Sequence, residues 1–315
     1  MRLALAGDTM LGRKVGEAID SSAPLFSEEV VAAVREADLV VLNLECCISE
    51  RGERWPDPRK PFFFRAPPKA VEVLDHLGVD CVTLANNHAL DYGPVALRDT
   101  LDLLSRAGIA TVGAGRDVDE ARAPAVVERD GFRLGVIGFT DHPEDFAAGA
   151  SRPGVALVDL GVTELPGWLA EAIRGLDADA VLLTPHWGPN MTPEPLPHIR
   201  GMADLLLEAG ATLVAGHSAH VFQGVRGPVL FDLGDFIDDY AVNPVLRNDL
   251  GLLFLVDLED GRPARIEAIP LRLDYCHTRL ATGADRDWIR GRFTAACAAF
   301  GTAVDDEAGR LVITP

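Results

Sequence analysis

The chain is short of cysteine, of positive charge, of aromatic residues and of long apolar runs, and each shortage argues against a class of protein. There are five cysteines, an odd number; Cys46 and Cys47 are adjacent, and no CxxC pair occurs. This argues against a disulfide framework and for a reducing, cytoplasmic setting. Lysine and arginine number 29 against 48 acidic residues, a net charge of −19. Such a surface repels nucleic acid and anionic lipid at long range, so neither is expected as a partner. Aromatic residues are 6% of the chain. The longest apolar runs, such as Leu250 to Leu258, have the length of a strand, not of a membrane span. The opening MRLALAGDTM meets Asp8 too soon for a signal peptide or membrane helix, so no membrane segment is expected. No GxxxxGK[ST] sequence occurs, which argues against a self-sufficient P-loop ligase.

What is present is the profile of a globular protein: 315 residues, 48% hydrophobic and 24% charged. Short apolar runs recur at Leu3 to Ala6, Leu39 to Leu42, Cys81 to Ala85, Gly135 to Phe139, Ala180 to Leu183, Thr212 to Ala215 and Val229 to Phe231. They do not alternate with polar residues, as expected for strands covered on both faces. Helical patterns lie between them, at Ser27 to Ala37, Pro68 to Leu77, Pro94 to Arg106 and Gly201 to Ala209. The alternation predicts an α/β fold of βαβ units. Two proline-rich stretches, 51–68 and 185–197, read as ordered loops. The absence of repeats and linkers predicts one domain over 1–315. Its motif-bearing core is about 1–240, and a C-terminal strand and helix extension covers about 250–315.

The polar residues that end these strands carry the chemistry. The first strand runs into Asp8, the second into Asn43-Leu44-Glu45, and the third into Asn86-Asn87-His88. Later strands run into His186 and into His217-Ser218-Ala219-His220. Open α/β sheets bind ligands at the carboxyl ends of their strands. Taken singly, each residue has an ordinary reading: Asp8 as a helix cap, Glu45 as a solvated charge, Asn87 as a turn residue, His186 as packing. Taken together they predict a metal site of Asp8, Glu45, Asn87, His186, His217 and His220. Carboxylate, amide and imidazole donors without thiolate suit one or two divalent transition-metal ions, Mn, Fe or Zn. With two ions, Glu45 is the reasonable bridge, and water is the activated nucleophile.

The motifs GDTMLGR, NLE, LANNHALDYG, HWG, GHSAHVFQGV and FDLGDF occur in this order. In them the chain resembles the CapA-type poly-gamma-glutamate capsule biosynthesis proteins, of the calcineurin-like metallophosphoesterase superfamily. The resemblance implies a four-layer αββα sandwich with metals at one end. It implies that Asp8 binds one ion, that Glu45 takes the place of the bridging aspartate, and that Asn87 is the amide ligand. His186, His217 and His220 resemble the remaining ligands. His88 resembles the histidine that sits over the substrate and protonates the leaving group. Asp91 either orients that ring or caps the helix near Pro94. The chain departs from the pattern at Thr9-Met10, where Asp-x-His is usual, and one metal position is left a ligand short. It departs again at Ser218-Ala219, where CapA-type proteins carry His-Pro. Asp232 and Asp235 are expected as turn and solvent-facing residues, with extra cation contacts as the alternative.

Arg13 and Arg65 are candidates for binding a small anionic substrate, since a guanidinium grips carboxylate or phosphate with two prongs; both are equally readable as surface residues. Trp187 and Phe62 to Phe64 are expected as pocket wall or core. The expected activity is metal-dependent hydrolysis of a phosphoester or of a γ-glutamyl amide. The alternatives are amide-bond formation, or an accessory role in polyglutamate or natural-product synthesis.

Overall fold

A strand whose consecutive residues are all apolar has no face to give to water, and this rule sets the layering. In the computed structural model, which describes residues 1–315, strand β1 (Arg2–Thr9) buries both its faces. Leu3 and Leu5 join a core with Leu134, Val136, Ala180 and Leu182 of a second sheet. Ala4 and Ala6 face the other way, into a core with Val15, Val30, Leu74 and Leu97 from four helices.

The first half of the chain repeats one unit. After β1 come α1 (Arg13–Asp20), α2 (Glu28–Val34), β2 (Leu39–Leu44), α3 (Ala70–Leu77), β3 (Cys81–Thr83), α4 (Gly93–Arg106) and β4 (Ala110–Val112). Strands β1 to β4 run parallel in that order. Local chemistry sets the helix ends: Ser27 accepts from the Val30 amide to start α2, and Gly78, at φ +75°, ends α3. The second half builds the facing sheet from β5 (Ala125–Arg129), β6 (Phe132–Thr140), α5 (Gly167–Gly175), β7 (Ala180–His186), α6 (Pro197–Ala209), β8 (Leu213–Ala215), β9 (Val225–Arg226) and β10 (Val229–Leu230). Its order is β9-β10-β8-β7-β6-β5. Its outer face, with Ile137, Phe139, Val181 and Leu183, packs on Leu169 and Ile173 of α5 and Met202 and Leu206 of α6. Helices, sheet, sheet and helices make the expected four layers. No helix is long and apolar enough to cross a membrane.

The chain then returns to the first sheet. Strand β11 (Asp235–Ile237) pairs with β1, followed by β12 (Leu250–Glu259), β13 (Arg262–Asp274), β14 (His277–Leu280), α7 (Gly283–Ala298), β15 (Asp305–Glu307) and β16 (Arg310–Ile313). The sheet order is β15-β16-β13-β12-β1-β2-β3-β4, with β11 beside β1 and β14 beside β13. The expected C-terminal strand and helix extension thus holds three strands before its helix and two after it. Pro263 and Pro270 lie inside β13 and disguise it, because proline interrupts a strand pattern. One close approach matters for the site. A Cβ on Gly7 would lie 1.8 Å from the carbonyl oxygen of Gly234, so only glycine lets β1 and the segment before β11 meet there.

Candidate metal centre

The parallel strands of both sheets end at one edge, and the polar residues after them converge there. Strand β1 carries Asp8, β2 leads to Glu45, β3 to Asn86, Asn87 and His88, β7 ends on His186, and β8 leads to His217 and His220. His186 and His217 lie side by side in a parallel bridge. Asp8 pairs across the strands with Asp235.

Asp8, Glu45, His220 and Asp235 each place one ligand atom within 4.8 Å of the others, and all four are buried. His220 Nδ1 lies 2.8 Å from Asp235 Oδ1, 3.4 Å from Asp8 Oδ2 and 3.9 Å from Glu45 Oε2. His217 Nδ1 lies 3.2 Å from Asp8 Oδ1. His186 is joined to this group through Asn43. The Asn43 amide donates to Asp8 Oδ1 at 2.7 Å and stands 3.4 Å from His186 Nδ1. Asn86 in turn donates to Asn43 Oδ1 and to the Leu44 carbonyl, both at 2.9 Å. Asn87 turns a buried Oδ1 toward no partner.

The electrostatics are those of a site short of positive charge. Both carboxylate oxygens of Glu45 are buried without a hydrogen-bond partner. Burial pushes the Glu45 carboxyl well up; Asp8, Asp235 and Asp91 push it further, against the pull of His220. Burial likewise pushes Asp235 well up, with Asp238 and Asp8 adding to it. For Asp8, burial acts upward, but His217, His220 and His186 outweigh it and hold the carboxyl below its usual range. Burial acts downward on the His220 ring, and the charges of Glu45 and Asp8 outweigh it and raise that ring. Burial pushes the His186 ring well down. Orphaned buried carboxylate oxygens, a buried amide oxygen and imidazole nitrogens fit a divalent cation. The neighbouring thiol does not compete, since burial pushes Cys46 up to about 12.

Beside this cluster His88 Nδ1 lies 2.6 Å from Asp91 Oδ2, and His88 Nε2 lies 3.8 Å from Glu45 Oε1. Burial pushes the His88 ring down to about 4, against the pull of Asp91. Its face packs on Phe64, with ring centres 4.0 Å apart. Asp91 is a knot for the loop over 51–68. Its Oδ2 also accepts from the Phe64 amide at 2.6 Å, its carbonyl accepts from the Trp55 amide, and Lys60 Nζ lies 3.0 Å from its Oδ1. Lys60 Nζ also donates to the Asn87 carbonyl at 2.6 Å.

Outside the cluster lies a cleft of about 580 Å³, lined by Arg13, Phe62, Phe64, His88, His220 and Tyr240 among others. Arg13, Met191 and His220 line it with φ of +50°, +56° and +57°. Non-glycine residues in the left-handed region persist where their surroundings over-determine them, and such residues gather at functional sites.

Several expectations need correction. Arg65 does not reach the cleft: its guanidinium lies 4.1 Å over the Tyr92 ring and donates to the carbonyls of Arg51 and Gly52. Asp91 caps no helix; α4 starts at Gly93 without a side-chain cap, and the Asp91 carboxylate is taken up by His88 and Phe64. Asp232 and Asp235 are not solvent-facing, because the turn they form is pressed against Gly7. Asp232 accepts from the Ala219 and Gly234 amides, and Asp235 joins the cluster. Trp187 is core, not cleft wall, and donates to the Phe231 carbonyl. Asn43, Asn86, Lys60 and Tyr240 had no role in the sequence reading. The only signal for Asp235 was the second acid of FDLGDF; the signal for Asn43 and Asn86 was their place in the strand-end runs.

The family described as bacterial capsule synthesis protein PGA_cap matches residues 2–240. A probable polyglutamine synthesis accessory protein of Mycobacterium tuberculosis is 33% identical over 289 residues, covering 85% of this chain and 74% of that protein. The capsule biosynthesis protein CapA of Bacillus anthracis is 26% identical over 294 residues, covering 90% of this chain and 70% of that protein. Among solved structures, a hypothetical protein from Thermus thermophilus superimposes with a TM-score of 0.53 at 17% identity. That match covers 87% of this chain and 100% of the other, and supports the fold alone.

Proposed function

The chain belongs to the PGA_cap family of bacterial capsule synthesis proteins, and from that premise we propose that it is a metal-dependent hydrolase. One observation carries this reading: Glu45 is buried with both carboxylate oxygens unpartnered, within 4.8 Å of Asp8, Asp235 and His220 donor atoms. Three buried carboxylates with no arginine or lysine among them demand a cation. Asp8, Glu45, His220 and Asp235 would hold one divalent ion, and Asn87, His186 and His217 are the donors left for a second. Mn, Fe or Zn suits these donors. When bound, such an ion lowers the pKa of water and stabilises charge on the attacked group.

The chain's own residues do the rest. Asn43 and Asn86 hold Asp8 in place through a chain of buried amides. With Nδ1–H donating a hydrogen bond to Asp91 Oδ2, His88 keeps its Nε2 lone pair on the side of Glu45. That nitrogen takes a proton from the attacking water and returns it to the leaving group, while Asp91 stabilises the imidazolium between the two steps. Lys60 pairs with Asp91 and ties the loop over 51–68 to the site. Arg13 offers the anion grip at the cleft. A phosphoester or a γ-glutamyl amide develops negative charge in the same place, so both belong to the proposal. Five free cysteines support a cytoplasmic setting, and residues 1–315 are proposed to work as one unit.

Elemental analysis of the purified chain is expected to find at least about half an equivalent of transition metal, given this donor set. No metal after anaerobic reconstitution with Mn, Fe and Zn would falsify the reading. Aryl phosphate assays run beside γ-glutamyl peptide assays separate the two chemistries. A second reading, an accessory subunit without turnover, is favoured by the similarity to the M. tuberculosis protein, a probable polyglutamine synthesis accessory protein. It predicts bound metal and no hydrolysis in either assay.

A further inference from the structure

The cleft outside the cluster has one cation and several apolar walls, and that combination selects among substrates. Arg13 is the only arginine or lysine lining it. Asp239 Oδ2 holds Arg13 Nε at 3.2 Å, which leaves the two terminal nitrogens free. The guanidinium carbon sits 5.3 Å from the centre of the Phe62 ring and 5.6 Å from that of Phe64. This is one pre-set two-pronged grip for one anionic group.

The remaining wall is apolar. Phe62 and Phe64 stack with ring centres 6.4 Å apart, and Phe64 continues to Tyr240 at 5.8 Å. Phe62 is 53% exposed and Val242 is 51% exposed, although they come from two different loops. Large apolar side chains left in water at a cleft mark a surface that something covers. The loop bearing Val242 is braced by hydrogen bonds to its own side chains. Asn248 accepts from the Asn243 amide at 2.7 Å, and Asn243 accepts from the Val245 and Leu246 amides. Its side-chain amides are therefore used within the loop, and it is already in shape to bind.

We propose that the cleft takes a small anionic ester with an apolar, preferably planar, leaving group, and not a polyanionic chain. The proposal rests on the hydrolase reading above. A polyglutamate chain carries a charge on every residue and needs a track of cations. Here the cleft offers a single arginine, already paired with Asp239, in a chain of net charge −19. An aryl group, by contrast, can lie against Phe62, Val242 and Tyr240, which line the cleft, while its anionic end meets Arg13.

The test uses the full chain reconstituted with manganese and three probes in calorimetric titrations: phenylphosphonate, methylphosphonate and tetra-γ-glutamate. Phenylphosphonate is expected to bind at least about tenfold more tightly than methylphosphonate, from burial of the ring. Tetra-γ-glutamate is expected to bind no better than methylphosphonate. Phe62→Ala and Val242→Ser, at exposed positions, are expected to keep the metal and reduce the phenyl preference to below about threefold. Tighter binding of tetra-γ-glutamate than of phenylphosphonate overturns the proposal. So does a phenyl preference that both variants leave intact. If the wild-type chain holds manganese but binds neither phosphonate, the hydrolase reading itself falls, and this proposal with it.

Discussion

Strand β1 carries a charge near each end, and the two ends solve opposite problems. At its amino end Arg2 meets Asp257 at 2.7 Å and Glu267 at 3.5 Å. Glu267 is shared further with Arg265 at 2.8 Å and Arg310 at 2.7 Å, so each acid there has a guanidinium. At its carboxyl end Asp8 meets Glu45, Asp235 and histidines, and neither arginine nor lysine enters the group. Both ends are acid-rich and both belong to the first sheet. The paired end ties β12, β13 and β16 to β1 and stabilises the fold. The unpaired end makes sense as a cation site, because uncompensated buried carboxylates are otherwise destabilising. The lesson is that a charged cluster is read by what neutralises it, not by the number of acids it holds.

Glu45→Gln should produce the largest change and one that reverses in sign with metal. Metal content is expected to fall below about a tenth of an equivalent, since one of the buried carboxylate donors is gone. In chelated protein the same change is expected to stabilise the fold by about 1–3 kcal/mol, because it removes an unpaired buried charge. Urea unfolding with and without chelator reads both arms; destabilisation of the chelated protein would show that Glu45 is compensated within the chain.

His88→Ala is expected to keep its metal and lose aryl phosphate turnover by about 10²- to 10⁴-fold, the usual worth of a positioned proton carrier. Loss of metal in this variant would instead make His88 a ligand. A step smaller, Asp235→Asn should weaken manganese binding by about 10- to 100-fold, as measured by competition with a chelating dye. An unchanged affinity would return Asp235 to a structural role in its turn.

The paired end of β1 should give the smallest effect. Glu267→Gln is expected to cost at most about 1 kcal/mol, because these ion pairs are partly screened by water, and to leave metal content alone. Its pH dependence has a definite sign. Burial raises the Glu267 carboxyl, but hydrogen bonds from Arg310 and Arg265 outweigh it and hold the folded-state value below the usual glutamate range. The stabilisation is therefore fully present above the unfolded value, about 4.3, and is lost as pH falls through the lower folded value. Melting curves of wild type and variant should converge on acidification; a gap that stays constant would assign the difference to packing.

Much of this was legible from local pattern. Seven apolar runs predicted seven strands because a strand covered on both faces must be apolar throughout, and Leu3 to Ala6 show the two faces in use. Asp8, Glu45, Asn87, His186, His217 and His220 were legible as a group because each follows such a run. What local pattern missed depends on folding back. Asp235 begins a short strand 226 positions after β1 ends, and only the pairing of that strand with β1 brings it to Asp8. Arg13 and Arg65 look alike in sequence, but one is turned into the cleft by a left-handed backbone and the other lies on Tyr92.

The sequence by itself therefore determined seven buried strands and four of the helices between them, the two-sided burial of those strands, and the residues delivered to their ends, since all of these follow from periodicity along a few neighbouring positions. Only the tertiary structure decided which acids are paired and which are left without a cation, and which aromatic rings line the cleft. Those depend on distances between residues far apart in the chain, and a close approach such as Gly7 on Gly234 leaves no periodic mark.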